Sequence, residues 1–189
     1  NEAVKKGASA VICSKNCKYA NRQIPVIKTS NIRDLLSKIS SRFYKQKPKN
    51  IIAVTGTNGK TSVADLFFQI LRLKNIPVAS IGTLGVKYKN SIIKSDLTSP
   101  DTIFLHQTLD KIKKKKIDNV IMEASSHGLK QHRLDGLVFD IGIFTNLSHD
   151  HLDYHKNFED YLNSKLYLFK KLLKRNGNII TDNSIPEFN

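Results

Sequence analysis

The sequence predicts an α/β fold in which a mostly parallel sheet carries helices on both faces. Three observations support this prediction. Apolar segments of strand length alternate with helical stretches, a Gly-rich turn joins one strand segment to a helix, and a polar cluster follows each of three strand segments. Because ligands bind beyond the carboxyl ends of the strands in such sheets, we expect the three clusters to share one sheet edge.

The first part of the chain predicts a small α/β unit of its own. We expect a short helix at the start, followed by strands at residues 10–12 and 25–27 and a second helix at about 32–44. The next residues are polar, and Pro48 cannot continue a helix, so 45–49 is predicted to be a linker. We therefore divide the chain into the end of an N-terminal domain, residues 1–47, and a central domain, residues 48–189.

The central domain shows the alternation of strands and helices most clearly. Strands are predicted at 51–54, 78–81, 119–122 and 138–144, and helices near 60–74, 101–116 and 158–173. The chain begins at Asn1 without a Met and stops at Asn189, shortly after a strand-like segment at 178–180. We expect it to be a piece of a longer protein, with an incomplete central domain.

The formal net charge of +15 and the isoelectric point near 9.8 raise nucleic acid as a partner. However, the lysines are spread along the chain, and the dense run at 111–116 ends a helical stretch, where cations suit the helix C-terminus. No aromatic residue is interleaved with that run, as stacking on bases would need. We therefore expect solvated lysines and no nucleic-acid partner.

Cys13 and Cys17 are the only cysteines, too few for a disulfide framework or a Cys-based zinc site. No run of about 20 apolar residues is present, so no membrane-spanning helix is predicted. We expect a cytoplasmic monomer with no membrane partner.

The first polar cluster is a phosphate loop. The apolar segment 51–54 breaks at Gly56 and passes through a polar turn into a helix. Backbone N–H groups and the positive end of the helix dipole then face one point, Lys60 adds a charge for the β- and γ-phosphates, and the Thr61 hydroxyl suits Mg²⁺. Val54 stands where the full motif has its first Gly, so an ordinary strand-to-helix turn is the alternative.

The second cluster begins with Glu123, directly after the apolar residues 120–122. A carboxylate at the end of a buried strand near a nucleotide loop is well placed to hold Mg²⁺. Ser125, Gln131 and Arg133 supply donors for a polar, anionic substrate, and Arg can grip a phosphate or carboxylate with two hydrogen bonds. The alternative is a solvated loop.

The third cluster, residues 145–155, holds three histidines and two aspartates, which favours a zinc hydrolase when taken alone. The run from His149 to Asp153 begins like a metallo-hydrolase motif, but Tyr154 stands where that motif requires His. A plain surface loop is another interpretation. Beside a nucleotide loop, a Mg²⁺-related role for one histidine is the more economical hypothesis.

Lys165 is anomalous because it lies near the middle of the apolar face of the last predicted helix. A buried lysine is costly unless it is paired, deprotonated or modified. The alternative is that its ammonium group snorkels to the edge of the face.

These motifs together resemble those of the Mur ligases. The matching segments are 55–61, 97–100, 123–133, 145–155 and 164–165, which span most of residues 50–170. Ser99 and Ala124 are mild departures from the family pattern. Residues 8–26 also look like the tail of that family's N-terminal, uridine-binding domain.

The resemblance implies an enzyme that uses ATP and Mg²⁺ to add the third amino acid of the peptidoglycan stem peptide to a UDP-N-acetylmuramoyl-dipeptide. It implies that ATP is bound by Gly56, Thr57, Asn58, Gly59, Lys60, Thr61 and Ser62, and that Thr61, Glu123 and His151 serve Mg²⁺. It implies that the muramoyl substrate is bound by Thr98, Ser99, Ser125, Gln131 and Arg133. Lys60, His151 and Lys165 would be catalytic, with Lys165 carried as a carbamate.

The chemistry fits these residue types. Joining a carboxylate to an amine needs an activated acyl group, and when the carboxylate attacks the γ-phosphate two anions meet, so positioned cations should dominate catalysis. A folylpolyglutamate synthetase-like ligase, a P-loop nucleic-acid ATPase and a non-catalytic nucleotide-binding module are the alternatives. The runs 123–133 and 145–155 favour the muramoyl ligase. Diaminopimelate and lysine both stay open as the added amino acid.

Overall fold

The computed structural model describes residues 2–21, 23–148, 150, 153–182 and 185. Its α-helices are α1 (Glu2–Lys5), α2 (Ile32–Phe43), α3 (Lys60–Leu73), α4 (Thr102–Lys114), α5 (Ser126–Lys130) and α6 (Phe158–Tyr167), and a π-helical turn (Leu168–Leu172) follows α6. Its strands are β1 (Val11–Ser14), β2 (Val26–Thr29), β3 (Asn50–Thr55), β4 (Val78–Gly82), β5 (Gly85–Tyr88), β6 (Ser91–Ile93), β7 (Asn119–Glu123), β8 (Phe139–Phe144) and β9 (Leu173–Thr181). Within these residues, no helix has the length and apolar run that crossing a bilayer requires.

The central sheet has seven strands in the order β6-β5-β4-β7-β3-β8-β9. Strands β4, β7, β3, β8 and β9 run parallel, and β5 and β6 add an antiparallel hairpin at one edge. The predicted α/β fold with a mostly parallel sheet is confirmed. The sequence pattern does not predict the hairpin, because its strands are short and β6 is exposed throughout, which leaves no apolar run or alternation to mark it.

Helices cover both faces of this sheet, as predicted. One face packs on α4, α5 and the π-helical turn through a large apolar cluster whose helical members are Leu105, Leu109, Ile112, Leu129, Leu168 and Leu172. The other face packs on α3 through a smaller cluster of Ile52, Val54, Ala64 and Ile121. Because β3, β4, β7 and β8 are parallel, the loops that follow them leave the sheet at the same edge.

The helix predicted at 158–173 is shorter than expected. The α-helix ends at Tyr167, the π-helical turn follows, and β9 begins at Leu173. Leu168 and Leu172 both stay buried through the turn, so the apolar periodicity conceals the change. Strand β9 also starts well before the predicted 178–180. Leu173 already pairs with Phe139 of β8, and the mostly exposed residues between Leu173 and Asn178 cross an irregularity in the pairing.

The N-terminal segment, residues 2–47, contains the parallel pair β1–β2 and helix α2, as predicted. Helix α2 contacts the loop after α5, where Ser37 Oγ donates to the carbonyl oxygen of Asp135 at 2.6 Å. Pro48, in the predicted linker, is buried. The domain boundary after residue 47 stays a prediction.

Candidate functional site

The phosphate loop connects β3 to α3, and its glycines explain its shape. Gly59 has φ +84° and caps the N-terminus of α3. Gly56 has φ +137°, and a Cβ atom there would lie 2.0 Å from Thr145 Oγ1. Only glycine allows both this backbone conformation and this close approach.

The third polar cluster holds the loop in place from the end of β8. Asn146 O accepts from Thr57 N, and Asn146 Oδ1 accepts from Asn58 N, each at 2.9 Å. Thr145 Oγ1 donates to Asn58 O at 2.6 Å, and Ser148 N donates to Thr57 Oγ1 at 2.9 Å. This part of the cluster therefore supports the phosphate loop.

Two lysines converge on the loop. Lys60 Nζ donates to Thr57 O at 2.7 Å and Gly56 O at 3.0 Å, and Lys165 Nζ donates to the same Gly56 O at 2.6 Å. Lys165 is 1% exposed and its Nζ lies 4.2 Å from the centroid of the Tyr161 ring, so it does not snorkel to solvent. Burial, followed by the nearby charge of Lys60, lowers the pKa of Lys165 to about 7.

Glu123 lies beside Thr61 at the end of β7 and is 2% exposed. Its Oε2 accepts from Thr61 Oγ1 at 2.9 Å, and its Oε1 accepts from Thr83 N at 2.8 Å. Gly82 makes room for it, since a Cβ atom there would lie 2.1 Å from Oε1. A carboxylate and a hydroxyl side by side are the oxygen ligands that Mg²⁺ prefers.

The residues predicted to bind the muramoyl substrate form a connected wall. Ser99 Oγ donates to Glu123 O at 2.9 Å and lies 3.0 Å from Ser125 Oγ, which caps α5. Arg133 Nη1 donates to Ser99 O at 2.8 Å, and its Nη2 donates to Gln131 Oε1 at 2.6 Å. This wall is therefore tied directly to the carboxyl end of β7.

One cavity of about 360 Å³ joins the phosphate loop to this wall. Of the predicted site residues, its lining contains Lys60, Thr61, Thr98, Ser99, Glu123, Ser125, Arg133 and Lys165. The cavity is also lined by Thr83, Asp96, Leu97, Ser126 and His127. Gln131 lies behind Arg133, and Ser62 lies in the first turn of α3.

Two histidines of the third cluster, His149 and His151, lie outside the described residues. The roles predicted for His151 therefore stay predictions. His155 is 2% exposed, and its Nε2 lies 3.0 Å from Ser126 Oγ. Burial, together with Lys130, lowers its pKa, which favours the neutral imidazole. His155 thus joins the start of α5 to the loop before α6.

Thr83 and His127 are site residues that the sequence reasoning misses. Thr83 follows β4 at the same sheet edge, and its Oγ1 lies 3.1 Å from Thr98 Oγ1 and donates to Glu123 Oε2 at 3.2 Å. Its position shortly after a predicted strand could have indicated that Thr83 lies at the ligand-binding edge of the sheet. His127 stacks on Tyr154 with ring centroids 3.9 Å apart, a contact between helix α5 and the loop before α6 that no local sequence pattern shows.

A family profile described as the Mur ligase middle domain matches residues 54–188. The chain belongs to the Mur ligase family. Its phosphate loop, Glu123 and Lys165 all lie within the matched region.

Curated relatives support this assignment. The chain is 41% identical over 174 residues to a protein of Brucella melitensis biotype 1 and 41% identical over 192 residues to one of Rickettsia bellii, each named UDP-N-acetylmuramoyl-L-alanyl-D-glutamate--2,6-diaminopimelate ligase. These matches cover 92% and 98% of the chain, but only 36% and 40% of the relatives. The chain thus spans well under half the length of the relatives that it matches.

Solved structures show the same fold. A structure of a UDP-N-acetylmuramoyl-L-alanyl-D-glutamate--2,6-diaminopimelate ligase superposes with a TM-score of 0.82 at 30% identity, covering 95% of this chain and 41% of that one. The MurF ligase from Thermotoga maritima in complex with ADP superposes with a TM-score of 0.62 at 17% identity, covering 99% of this chain and 40% of that one, and shows the fold alone.

Proposed function

We propose that this chain is part of an ATP-dependent ligase that joins an amino acid to UDP-N-acetylmuramoyl-L-alanyl-D-glutamate in peptidoglycan biosynthesis. The observation that carries the proposal is the single cavity in which Lys60, Lys165, Glu123 and Arg133 meet. Cations on two sides of one cavity suit a reaction in which two anions approach each other. The name shared by the relatives favours diaminopimelate as the added amino acid.

The phosphate loop, residues 56–62, would hold the triphosphate of ATP. Lys60 Nζ now donates to two loop carbonyls, which phosphate oxygens would replace as acceptors. Thr61 and Glu123 fit Mg²⁺, since their oxygens lie 2.9 Å apart at the loop. When bound, Mg²⁺ would neutralise charge on the phosphates. His151 joins this set through the family resemblance.

The wall formed by Thr98, Ser99, Ser125, Gln131 and Arg133 would bind the muramoyl dipeptide. The carboxylate of its glutamate would attack the γ-phosphorus of ATP, forming a P–O bond while the bond to ADP breaks. Lys60 and Arg133 would offset the negative charge that accumulates as these two anions meet. The amine of the amino acid would then attack the acyl carbon, forming the amide and releasing phosphate and a proton.

Lys165 would act as a carbamate. Its neutral amine would add CO₂ with loss of a proton, which converts a buried cation into an anion beside the proposed Mg²⁺ site. Its burial and its pKa of about 7 support this step, because they make the neutral amine accessible near neutral pH. In the full-length protein, Lys165→Ala should remove most activity, and added acetate should restore part of it. Full activity of that variant without acetate would exclude the role.

The full-length protein would contain three domains, with the chain holding the end of the first and most of the second, and would be a cytoplasmic monomer. We expect the full-length protein to form the tripeptide when it is incubated with ATP, the UDP-muramoyl dipeptide and diaminopimelate. Mass spectrometry detects the product, and one phosphate should be released per amide. Two comparison reactions replace the substrates: one uses lysine instead of diaminopimelate, and the other uses a folate with glutamate. Amide formation only with the folate would contradict the proposal.

The isolated 189-residue chain should bind Mg-nucleotide weakly and form no tripeptide, because it spans only 36–40% of the relatives' length and the domain proposed to hold the amino acid would lie in the remainder. Nucleotide titration and the same product assay measure both expectations. Tripeptide formation by the isolated chain at an ordinary rate would contradict the need for that domain.

A further inference from the structure

A buried acid lies behind the substrate wall. Asp135 is 4% exposed and stands two residues after Arg133. Its Oδ2 accepts a hydrogen bond from the Tyr167 hydroxyl at 2.9 Å and lies 2.9 Å from Nδ1 of His132. Within the described part of the chain, its Oδ1 has no hydrogen-bond partner by heavy-atom geometry. An unsatisfied buried carboxylate oxygen is costly, so a proton or a cation is required there.

A second acid, on the N-terminal segment, lies close to the Asp135 carboxyl group. Carboxylate oxygens of Asp34 and Asp135 and a ring nitrogen of His132 lie within 4.8 Å of one another. Asp34 is in the first turn of α2, and its Oδ2 lies 2.9 Å from Lys38 Nζ. Two carboxylates this close do not both ionise unless something neutralises them. Lys38 offsets one of the two charges, and the candidates for the other are a proton shared by the carboxyl groups, a proton on His132 and a metal ion.

The N-cap residue of α2, Asn31, contacts His132, and this contact distinguishes between the candidates. Asn31 Oδ1 accepts from Asp34 N at 3.1 Å, which leaves Asn31 Nδ2 facing His132 Nε2 at 3.1 Å. Because an amide NH₂ group only donates, Nε2 must accept, and the proton of the neutral imidazole is on Nδ1. Nδ1–H then donates to Asp135 and offers no lone pair to a metal. The geometry favours the shared proton.

We propose that Asp135 retains a proton on Oδ1 and donates it to the ionised carboxylate of Asp34. This acid pair joins helix α2 to the loop that carries Gln131 and Arg133, and so fixes the back of the substrate wall. The groups that face the pair are Lys38 on α2, His132 in the loop and Tyr167 at the end of α6, and His106 on α4 lies 3.2 Å from the backbone oxygen of Asp135.

The electrostatics agree with this assignment. Burial, more than any other factor, raises the pKa of Asp135, and Asp34 raises it further, against the hydrogen bonds from His132 and Tyr167. Lys38 holds the pKa of Asp34 below its usual range. In the unfolded chain Asp135 would titrate near 3.8, so above that pH the folded state binds more protons. Stability should therefore fall as pH rises through the raised pKa.

Asp135→Asn tests the pair in this chain. The amide oxygen can accept from His132 and Tyr167, and the amide NH₂ can donate to Asp34 at every pH. The melting temperature of the variant relative to the unmodified chain should therefore rise as pH increases from 3.8 through the raised pKa of Asp135. Asp65→Asn is the matched control, because Asp65 is ion-paired with Lys87 at 2.5 Å and its pKa is lowered. Its relative melting temperature should stay constant over that range.

A second measurement does not depend on a variant. Because the pKa of Asp135 is raised from 3.8, the ¹³C chemical shift of its carboxyl carbon should still be that of a protonated acid at a pH just above 3.8, and it should move as pH rises further. An ionised shift at every pH above about 4 would overturn the proposal. So would a rise in melting temperature with added Zn²⁺ or Mn²⁺ that Asp135→Asn abolishes, which would establish a metal instead. None of these measurements uses ligase activity, so they stand apart from the proposed function.

Discussion

Replacing Lys165 with Met should make the folded chain more stable near neutral pH, and this gain should shrink as pH rises. Met has nearly the same length and no charge, so it fills the buried position without requiring a proton. In the unmodified chain the ammonium form is disfavoured by burial and by the nearby charge of Lys60. The unfolded chain keeps the ordinary lysine pKa, so it binds more protons than the folded chain between about pH 7 and pH 10.

The magnitude follows from the pKa of Lys165, which falls from 10.5 to about 7. At about 1.4 kcal/mol for each pKa unit, this corresponds to roughly 5 kcal/mol at low pH. Loss of the hydrogen bond to Gly56 O, which costs about 1 kcal/mol, opposes the gain at every pH. Between pH 7 and pH 9, the advantage of Lys165→Met should therefore fall by about 2 kcal/mol.

Urea unfolding at several pH values, in buffers kept free of CO₂ to prevent carbamate formation, measures this difference. Lys174→Met is the matched control, because the Lys174 side chain is 50% exposed and its loss removes one surface charge. A constant difference between Lys165→Met and the unmodified chain from pH 7 to pH 9 would refute the argument. It would mean that Lys165 stays charged despite its burial.

Three further predictions concern the loop and the wall. Gly56→Ala should destabilise the chain by roughly 1–3 kcal/mol, because of its φ of +137° and the 2.0 Å approach to Thr145 Oγ1; an unchanged urea midpoint would contradict this. Arg133→Ala in the full-length protein should weaken use of the muramoyl substrate by roughly 1.5–3 kcal/mol with little change in KM for ATP, and unchanged kinetics would remove Arg133 from the site. Thr61→Val should weaken nucleotide binding measured by calorimetry with Mg²⁺ present, whereas an equal loss in EDTA would indicate a structural effect alone.

The sequence predicts those features that lie close together along the chain. The step from β3 through Gly56 into α3 is marked by an apolar run, a glycine and a helical pattern, and the structure confirms that order. Helical periodicity places Tyr161, Lys165 and Leu168 on one face, and all three are buried, although the periodicity alone left open whether the Lys165 ammonium group reaches solvent.

Features that depend on contacts between distant segments are not predictable in this way. Thr83 reaches Glu123 only because β4 and β7 are neighbours, although they are about 40 residues apart in the chain. The hydrogen bond from Asn58 N of the phosphate loop to Asn146 Oδ1 likewise depends on the pairing of β3 with β8. The early start of β9 is not marked in the sequence, because its first residues are mostly exposed and only Leu173 among them pairs with β8 before an irregularity in the ladder.

We propose that the cavity at the carboxyl edge of the sheet binds Mg-nucleotide through the phosphate loop. A backbone amide NMR spectrum of the ¹⁵N-labelled chain, recorded during titration with Mg-ATP, tests this binding. We expect shifts at residues 56–62, Thr83 and Glu123, and their loss in Lys60→Met. A second cavity of about 430 Å³, lined in part by Arg72 and Lys87, lies between α3 and the β5–β6 hairpin. Shifts confined to that cavity, with residues 56–62 unchanged, would contradict the claim.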